Sequence, residues 1–387
     1  MPSCQRDALV GSAFRRVPGF YARQAGFVLA ATLWTMALIA VAAGYLAERI
    51  QRTRELAGLA QLQTQALIDL SGSRAEALYR LGTTPVTLYG LGRIPATAIA
   101  LDDRRYLALG NTTLQFQDDR GLLNLNNTDD DRLGRFLGVM GVPAERRAAL
   151  IDALRDYLDD DNFKRLNGAE AAEYQSAGLP PPRNAKLITP WEAERIYNWK
   201  KAPELWKGAG MEPLVTTSTS FSLNPNTAPW QLLATMRGMT PEGVQALLKA
   251  RKLSPLVSAG QVQALTGVVI SQDPFQPDMI ALPADSVRIT QQAQGMGWGW
   301  RYNVSLTPVS DFSPWRVDYF YRVELPPLPN VRPESSPGSA PPSASTPEPG
   351  TVTGIASGPV ASPEAAQRLP ARSTRSTSQP ADLLPIF

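Results

Sequence analysis

Histidine is absent from the chain, and cysteine occurs once, as Cys4, in 387 residues. The first absence excludes imidazole-based triads, histidine general bases and His-ligated metal sites. The second excludes disulfides within the chain and cysteine zinc sites. An excess of one charge is also missing. The 38 basic and 35 acidic residues leave +3, which does not provide a global basic field for nucleic acid. A folded domain here must be held by its apolar core, or by hard cations on oxygen ligands. The length suffices for two or three domains.

What is present begins with an uncharged run, Phe27–Leu46. It is long enough to cross a bilayer as one helix, which needs about 20 apolar residues at ~1.5 Å each. A secretory leader has a shorter core that ends at its cleavage site. Here the polar-to-apolar break comes before the run, at Gly26–Phe27. The stretch Gln24-Ala25-Gly26-Phe27 resembles a type IV prepilin leader. That resemblance implies cleavage of residues 1–26 after Gly26 on the cytoplasmic side, with methylation of the new N-terminus at Phe27. Most prepilins carry Glu at the fifth mature position, where this chain has Ala31. A carboxylate in the membrane costs roughly 2.5–3.5 kcal/mol and is kept for a partner. Its absence points to a subunit at the tip of a fibre. Arg6, Arg15, Arg16 and Arg23 precede the run, while Arg49, Arg52 and Arg54 follow it, partly offset by Glu48 and Glu55. This arginine asymmetry is weak. The expected single-pass topology, with a cytoplasmic N-terminus in a bacterial inner membrane and a periplasmic bulk, therefore rests on the leader type.

Beyond Leu46 the helical pattern continues. Leu56, Leu59, Leu67, Leu70, Leu78 and Leu81 recur at three- and four-residue offsets and their sums, and no proline appears before Pro85. The spacing predicts one helix from the membrane to about Leu81, amphipathic in its second half. Short β-like pieces flank a helical block. They are Thr113–Phe116, Val287–Thr290, Arg301–Leu306 and Val317–Val323, the last two suited to an antiparallel pair. The expected fold is α+β, with a pilin-like long N-terminal transmembrane helix (27–46 in the membrane), an antiparallel β-sheet and a large α-helical insertion. Residues 47–121 and 281–325 form the pilin-like α/β domain, and 122–280 form the insertion. The Pro-, Ser- and Ala-rich residues 326–387 are read as a disordered tail, since such a segment buries too little to offset its ordering entropy.

Within the insertion two stretches echo each other. Leu123-Asn124-Leu125-Asn126-Asn127-Thr128 is matched by Leu223-Asn224-Pro225-Asn226-Thr227-Ala228, and each is followed by apolar residues at helical spacing. Both read as an Asn-Thr helix cap before a helical hairpin. The second resembles a helix-hairpin-helix unit, with Lys249, Arg251 and Lys252 downstream. This raises a rival reading, a membrane-anchored DNA-binding or uptake protein. Pro241 removes an amide and Glu242 opposes phosphate, so no nucleic-acid partner is expected.

Between the copies lie Asp156, Asp159, Asp160 and Asp161, then Asn167-Gly168-Ala169-Glu170 and Glu173. An acidic run is ordinarily a solvated loop. This one follows a predicted helix, and a chain without disulfides gains from an ion that pins a loop. Ca²⁺ accepts six to eight oxygens in irregular geometry, although the spacing is not that of an EF-hand. No His, mature Cys or nucleophile elbow suggests an enzyme, and no aromatic-rich sugar cleft accompanies Asp159 and Glu170.

Taken together, residues 24–325 resemble protein K of the type II (general) secretion pathway, a large minor pseudopilin. The carriers are the Gly-Phe leader without its Glu, Asp-Asp-Arg-Gly-Leu-Leu-Asn-Leu-Asn at 118–126, the block Asp156–Asp161, Asn-Gly-Ala-Glu at 167–170 and Asn-Pro-Asn-Thr-Ala-Pro at 224–229. The resemblance implies a non-enzymatic tip subunit of the pseudopilus. Its partners would be other minor pseudopilins, the inner-membrane secretion platform and the lipid bilayer. By motif match it implies Asp159, Asp161 and Glu170 as calcium ligands, with Asp156 and Glu173 as further candidates. The family often has an acidic residue where this chain has Ala171, and its tail is usually shorter.

Overall fold

The computed structural model describes residues 25–218, 222–273, 277–328 and 367–369. Residues 1–24 of the expected leader lie outside them. In chain order the elements are α1 (Ala25–Thr83), β1 (Val86–Thr87), β2 (Gly90–Leu91), β3 (Asp102–Leu107), β4 (Thr112–Asp118) and β5 (Leu123–Asn124). Then come α2 (Asp130–Val139), α3 (Ala144–Leu158), α4 (Ala171–Ser176), β6 (Val215–Thr216), α5 (Trp230–Leu233), α6 (Pro241–Leu253) and α7 (Ala259–Thr266). Strands β7 (Ser286–Ala293), β8 (Trp298–Leu306), β9 (Trp315–Glu324) and β10 (Gln367–Arg368) complete the chain. Short 3-10 turns, several opened by proline, connect α4 to β6.

Helix α1 changes character along its length. Phe27, Leu29, Leu33, Trp34, Met36, Leu38, Ile39 and Val41 are all largely exposed. This part is long and apolar enough to cross a membrane. The last turns bury a stripe of Ala66, Leu70, Ser73, Ala77 and Leu81. Of the six leucines whose spacing suggested the amphipathic face, only Leu70 and Leu81 are buried, while Leu56, Leu59 and Leu67 are exposed. The small Ala and Ser side chains let the helix approach the sheet on a face offset from most of the leucines.

That stripe packs on a sheet of order β10-β3-β4-β7-β8-β9, in which β3 to β9 are antiparallel neighbours. Register builds its apolar face. Phe116 pairs with Ile289, Ile289 with Tyr302 and Tyr302 with Phe320, one row across four strands. Arg74 of α1 lies over the Tyr302 and Phe320 rings at 5.6 and 5.0 Å. Because strand side chains alternate, the intervening residues form polar rows on the other face. Gln117, Arg288, Asn303 and Tyr319 make one, and Gln115, Thr290, Arg301 and Tyr321 the next. This face is also covered: every residue of β7 is buried. Arg301 pairs with Glu212 of the insertion, which also accepts from the Tyr321 hydroxyl at 2.5 Å. The pairing answers the cost of burying a charge without a partner.

A second core lies within the insertion. It runs in sequence from Leu122 to Met279 and centres on Trp199, fully buried, whose Nε1 donates to the Leu150 carbonyl at 2.9 Å.

The repeated Asn motifs differ from expectation. Asp129 caps α2 by accepting from the Arg132 amide, and Pro229 precedes α5 without a side-chain cap. The asparagines instead form Asx turns. Asn124 accepts from the Asn126 amide at 2.9 Å, and Asn224 from the Asn226 amide at 3.0 Å. An Asx turn satisfies the backbone one step before the helix, so the capping position moves downstream. The second asparagine of each copy clamps a distant loop. Asn126 bonds both the amide and carbonyl of Leu187, and Asn226 does the same to Leu256.

The tail also departs from a wholly unstructured reading. Gln367 and Arg368 pair in parallel with Tyr106 and Leu107 of β3. A short piece can add to an open edge at little burial, which composition averaged over the tail does not reveal.

Candidate cation site in the insertion

Helix α3 delivers the first carboxylates. Asp156 sits in its last turn and Asp159 is its C-cap, with Asp160 and Asp161 just beyond. This is the end where the helix dipole is negative, so acidic side chains there repel the peptide carbonyls as well as each other. A cation is what such a position attracts.

Asp156 is buried and works on the loop. Its oxygens accept from the Arg165 amide at 3.3 and 3.2 Å, and the Arg165 guanidinium stands 3.6 Å away. The loop returns so closely that a Cβ on Gly168 would lie 1.8 Å from Asp156 Oδ2. Only glycine fits there. Asp161 turns the chain by accepting from the Phe163 amide at 2.7 Å.

The returning loop brings Glu170, which is buried. Neither of its oxygens has a hydrogen-bond partner. Burial and then the charges of Asp156, Asp159, Asp161 and Glu173 push its carboxyl up to about 7. Asp159 is raised by the same causes, burial first and then Asp161 and Asp156, and its Oδ1 is likewise buried without a partner. Asn184, which sequence reasoning missed, adds a third. It donates to the Asp161 carbonyl at 2.7 Å and to Asn162 Oδ1 at 3.2 Å, while its own Oδ1 is buried and unpartnered. Its φ of +49° is one that asparagine tolerates better than most residues. An Asn before a basic and apolar stretch carries no ligand signal in sequence.

Glu173 is occupied elsewhere. It bonds Lys164 at 2.7 Å and accepts from the Glu170 amide at 3.0 Å. Lys164 holds its carboxyl below the usual range. Of the five sequence candidates, Asp156 and Glu173 are thus engaged in holding the loop. Asp159, Asp161 and Glu170 are near enough for their charges to act on one another, and Asn184 is joined to the group through the Asp161 carbonyl. Among the described residues no three Asp, Glu, His or Cys side chains stand as a ready metal cluster. The unsatisfied atoms are all oxygens, on Glu170, Asp159 and Asn184, which is the donor chemistry of a hard cation.

The hairpin singled out as a phosphate cradle is used structurally. Thr240 Oγ1 takes the Gly243 amide at 3.1 Å to cap α6, and Arg237 pairs with Asp131 at 2.7 Å. Arg251 donates to the Pro225 and Ala228 carbonyls at 3.0 and 2.6 Å, which holds the second Asx turn.

A long N-terminal apolar helix, an antiparallel sheet packed on its second half and a helical insertion between the strands define a pilin-like α+β protein. Residues 112–259 match the family described as type II secretion system (T2SS), protein K. Among solved structures, the GspK-GspI-GspJ complex from the enterotoxigenic Escherichia coli type 2 secretion system contains a similar chain. It is 18% identical, with a TM-score of 0.47, and the match covers 70% of this chain and 99% of that one. No curated protein matches.

Proposed function

We propose that this protein is a minor pseudopilin at the tip of the type II secretion pseudopilus. There it starts assembly and supports protein export across the outer membrane, without enzymatic activity. The observation that carries this is the surface of α1. Its apolar exposure does not end with a membrane-length segment. Leu56, Leu59 and Leu62, 57–68% exposed, continue it along the helix. Burying such a side chain is worth roughly 1.5–3 kcal/mol, and neighbouring helices in a fibre would supply that burial. Ala31 lacks the carboxylate that a subunit stacked beneath another would offer, and the insertion at 122–280 adds bulk that favours an end position. In this reading the partners are two further minor pseudopilins, as in the GspK-GspI-GspJ complex, together with the inner-membrane platform.

The site at the end of α3 would hold Ca²⁺ in this account. Glu170, Asp159, Asp161 and Asn184 would supply oxygens, and Asp156 and Glu173 would shape the loop. The ion would neutralise the carboxylate group and fix the loop at 160–170, a role that disulfides fill in other secreted domains.

Co-expression of residues 47–387 with two candidate minor pseudopilins tests the assembly role. The account predicts one discrete complex, weakened at least tenfold by Leu59→Asp. A chain that stays monomeric with every candidate contradicts it.

A further inference from the structure

The five antiparallel strands leave β3 as an edge, and open edges invite unwanted pairing. The first half of β3 is guarded. Asp102, Asp103, Arg104 and Arg105 carry charge, and the register with β4 shifts between Asp102 and Arg105, where Asp103 takes φ +66°. Tyr106 and Leu107 have no such guard. The Ala108 amide donates inward to the Thr112 carbonyl at 3.0 Å. Alternation therefore turns the N–H and C=O of Leu107 outward, along the free side.

The chain's own tail occupies that side. Gln367 and Arg368 pair with Tyr106 and Leu107, and the Leu369 amide donates to the Leu107 carbonyl at 3.1 Å. Leu369 is half-buried and packs against the sheet core that contains Tyr106 and Leu101. So short a strand could not hold a separate molecule. The link through residues 329–366 changes this. A strand tethered in the same chain meets the edge as an intramolecular partner, at an effective concentration that a free peptide of the same length does not reach.

We propose that the free half of β3 is a strand-acceptor site and that residues 367–369 are its tethered occupant, a cap supplied in cis and displaceable by an extended peptide. This goes beyond the tip assignment and stands or falls separately from it. Hydrogen exchange of full-length protein in detergent tests it at the Leu107 amide, with Leu369→Asp and a chain ending at Leu328 as variants. Both variants should keep their circular dichroism while the Leu107 amide exchanges at least tenfold faster. A peptide of residues 364–372 at millimolar concentration should restore protection in the shortened chain and have little effect on the intact one. Equal exchange in the intact chain and Leu369→Asp would overturn the proposal. Protection that fades on dilution of the intact protein would overturn the cis assignment, because it would place the tail of a second copy on the edge.

Discussion

Asp118, at the last position of β4, is fully buried and accepts four hydrogen bonds. They come from the Ala284 amide at 2.7 Å, Asn224 Nδ2 and Thr227 Oγ1 at 2.8 Å each, and the Arg120 amide at 3.1 Å. One carboxylate thus joins the strand that enters the insertion to the chain that leaves it. Asp118→Ala leaves four donors without an acceptor, and a loss of roughly 3–5 kcal/mol is expected in denaturant melts. A loss under 1 kcal/mol would show that the junction is held elsewhere. Glu170 works in the opposite sense. Without a cation its charge is buried beside other carboxylates, so Glu170→Gln should raise the melting temperature in chelator by about 2–4 °C, corresponding to ~1 kcal/mol. The same change should abolish most of the rise that saturating calcium gives the unaltered protein, which is about 2.7 kcal/mol at 100 times Kd. Equal melting of the unaltered protein with calcium and with chelator would refute the site. The carboxylates of this group were legible because their spacing placed them at a helix end. Asn184 was not, since nothing in its local sequence marks a turn that returns to Asp161. The pairing of Glu173 with Lys164, nine positions back, is likewise invisible in local sequence.

At the level of elements, α1, β4, β7, β8 and β9 were readable. The helix has a long uncharged run and no proline before Pro85, although its leucine spacing did not mark the buried face, and the strands alternate or run apolar. Strand β3 was not, because Asp-Asp-Arg-Arg-Tyr-Leu has the composition of a solvated loop and becomes a strand only by pairing with β4. The two Asn motifs are visible as repeats in the sequence, but their task is not. Asn and Thr serve equally as caps and as Asx turns, and only the downstream Asp129 and Pro229 decide between them. For α1 the expectation concerns its first residues. If Gly26 marks a peptidase site, Gly26→Val should leave the full chain unprocessed, while the unaltered protein should begin at Phe27 by mass spectrometry of membrane fractions. An unaltered chain that retains residues 1–26 would count against the leader.

For the whole molecule, two features bear on the proposed tip position: among the described residues, Leu56, Leu59 and Leu62 stay exposed on α1 beyond the membrane-length segment, and the insertion has a core of its own. Crosslinking in assembled membranes tests this most directly. In a Cys4→Ser background, single cysteines at Ala148, Gln245 and Lys249, all exposed on α3 and α6, would be the only thiols in the chain. The account predicts one or two discrete products, each holding a single copy of this protein joined to a different minor pseudopilin. A regular ladder built from many copies of this protein would contradict the tip assignment.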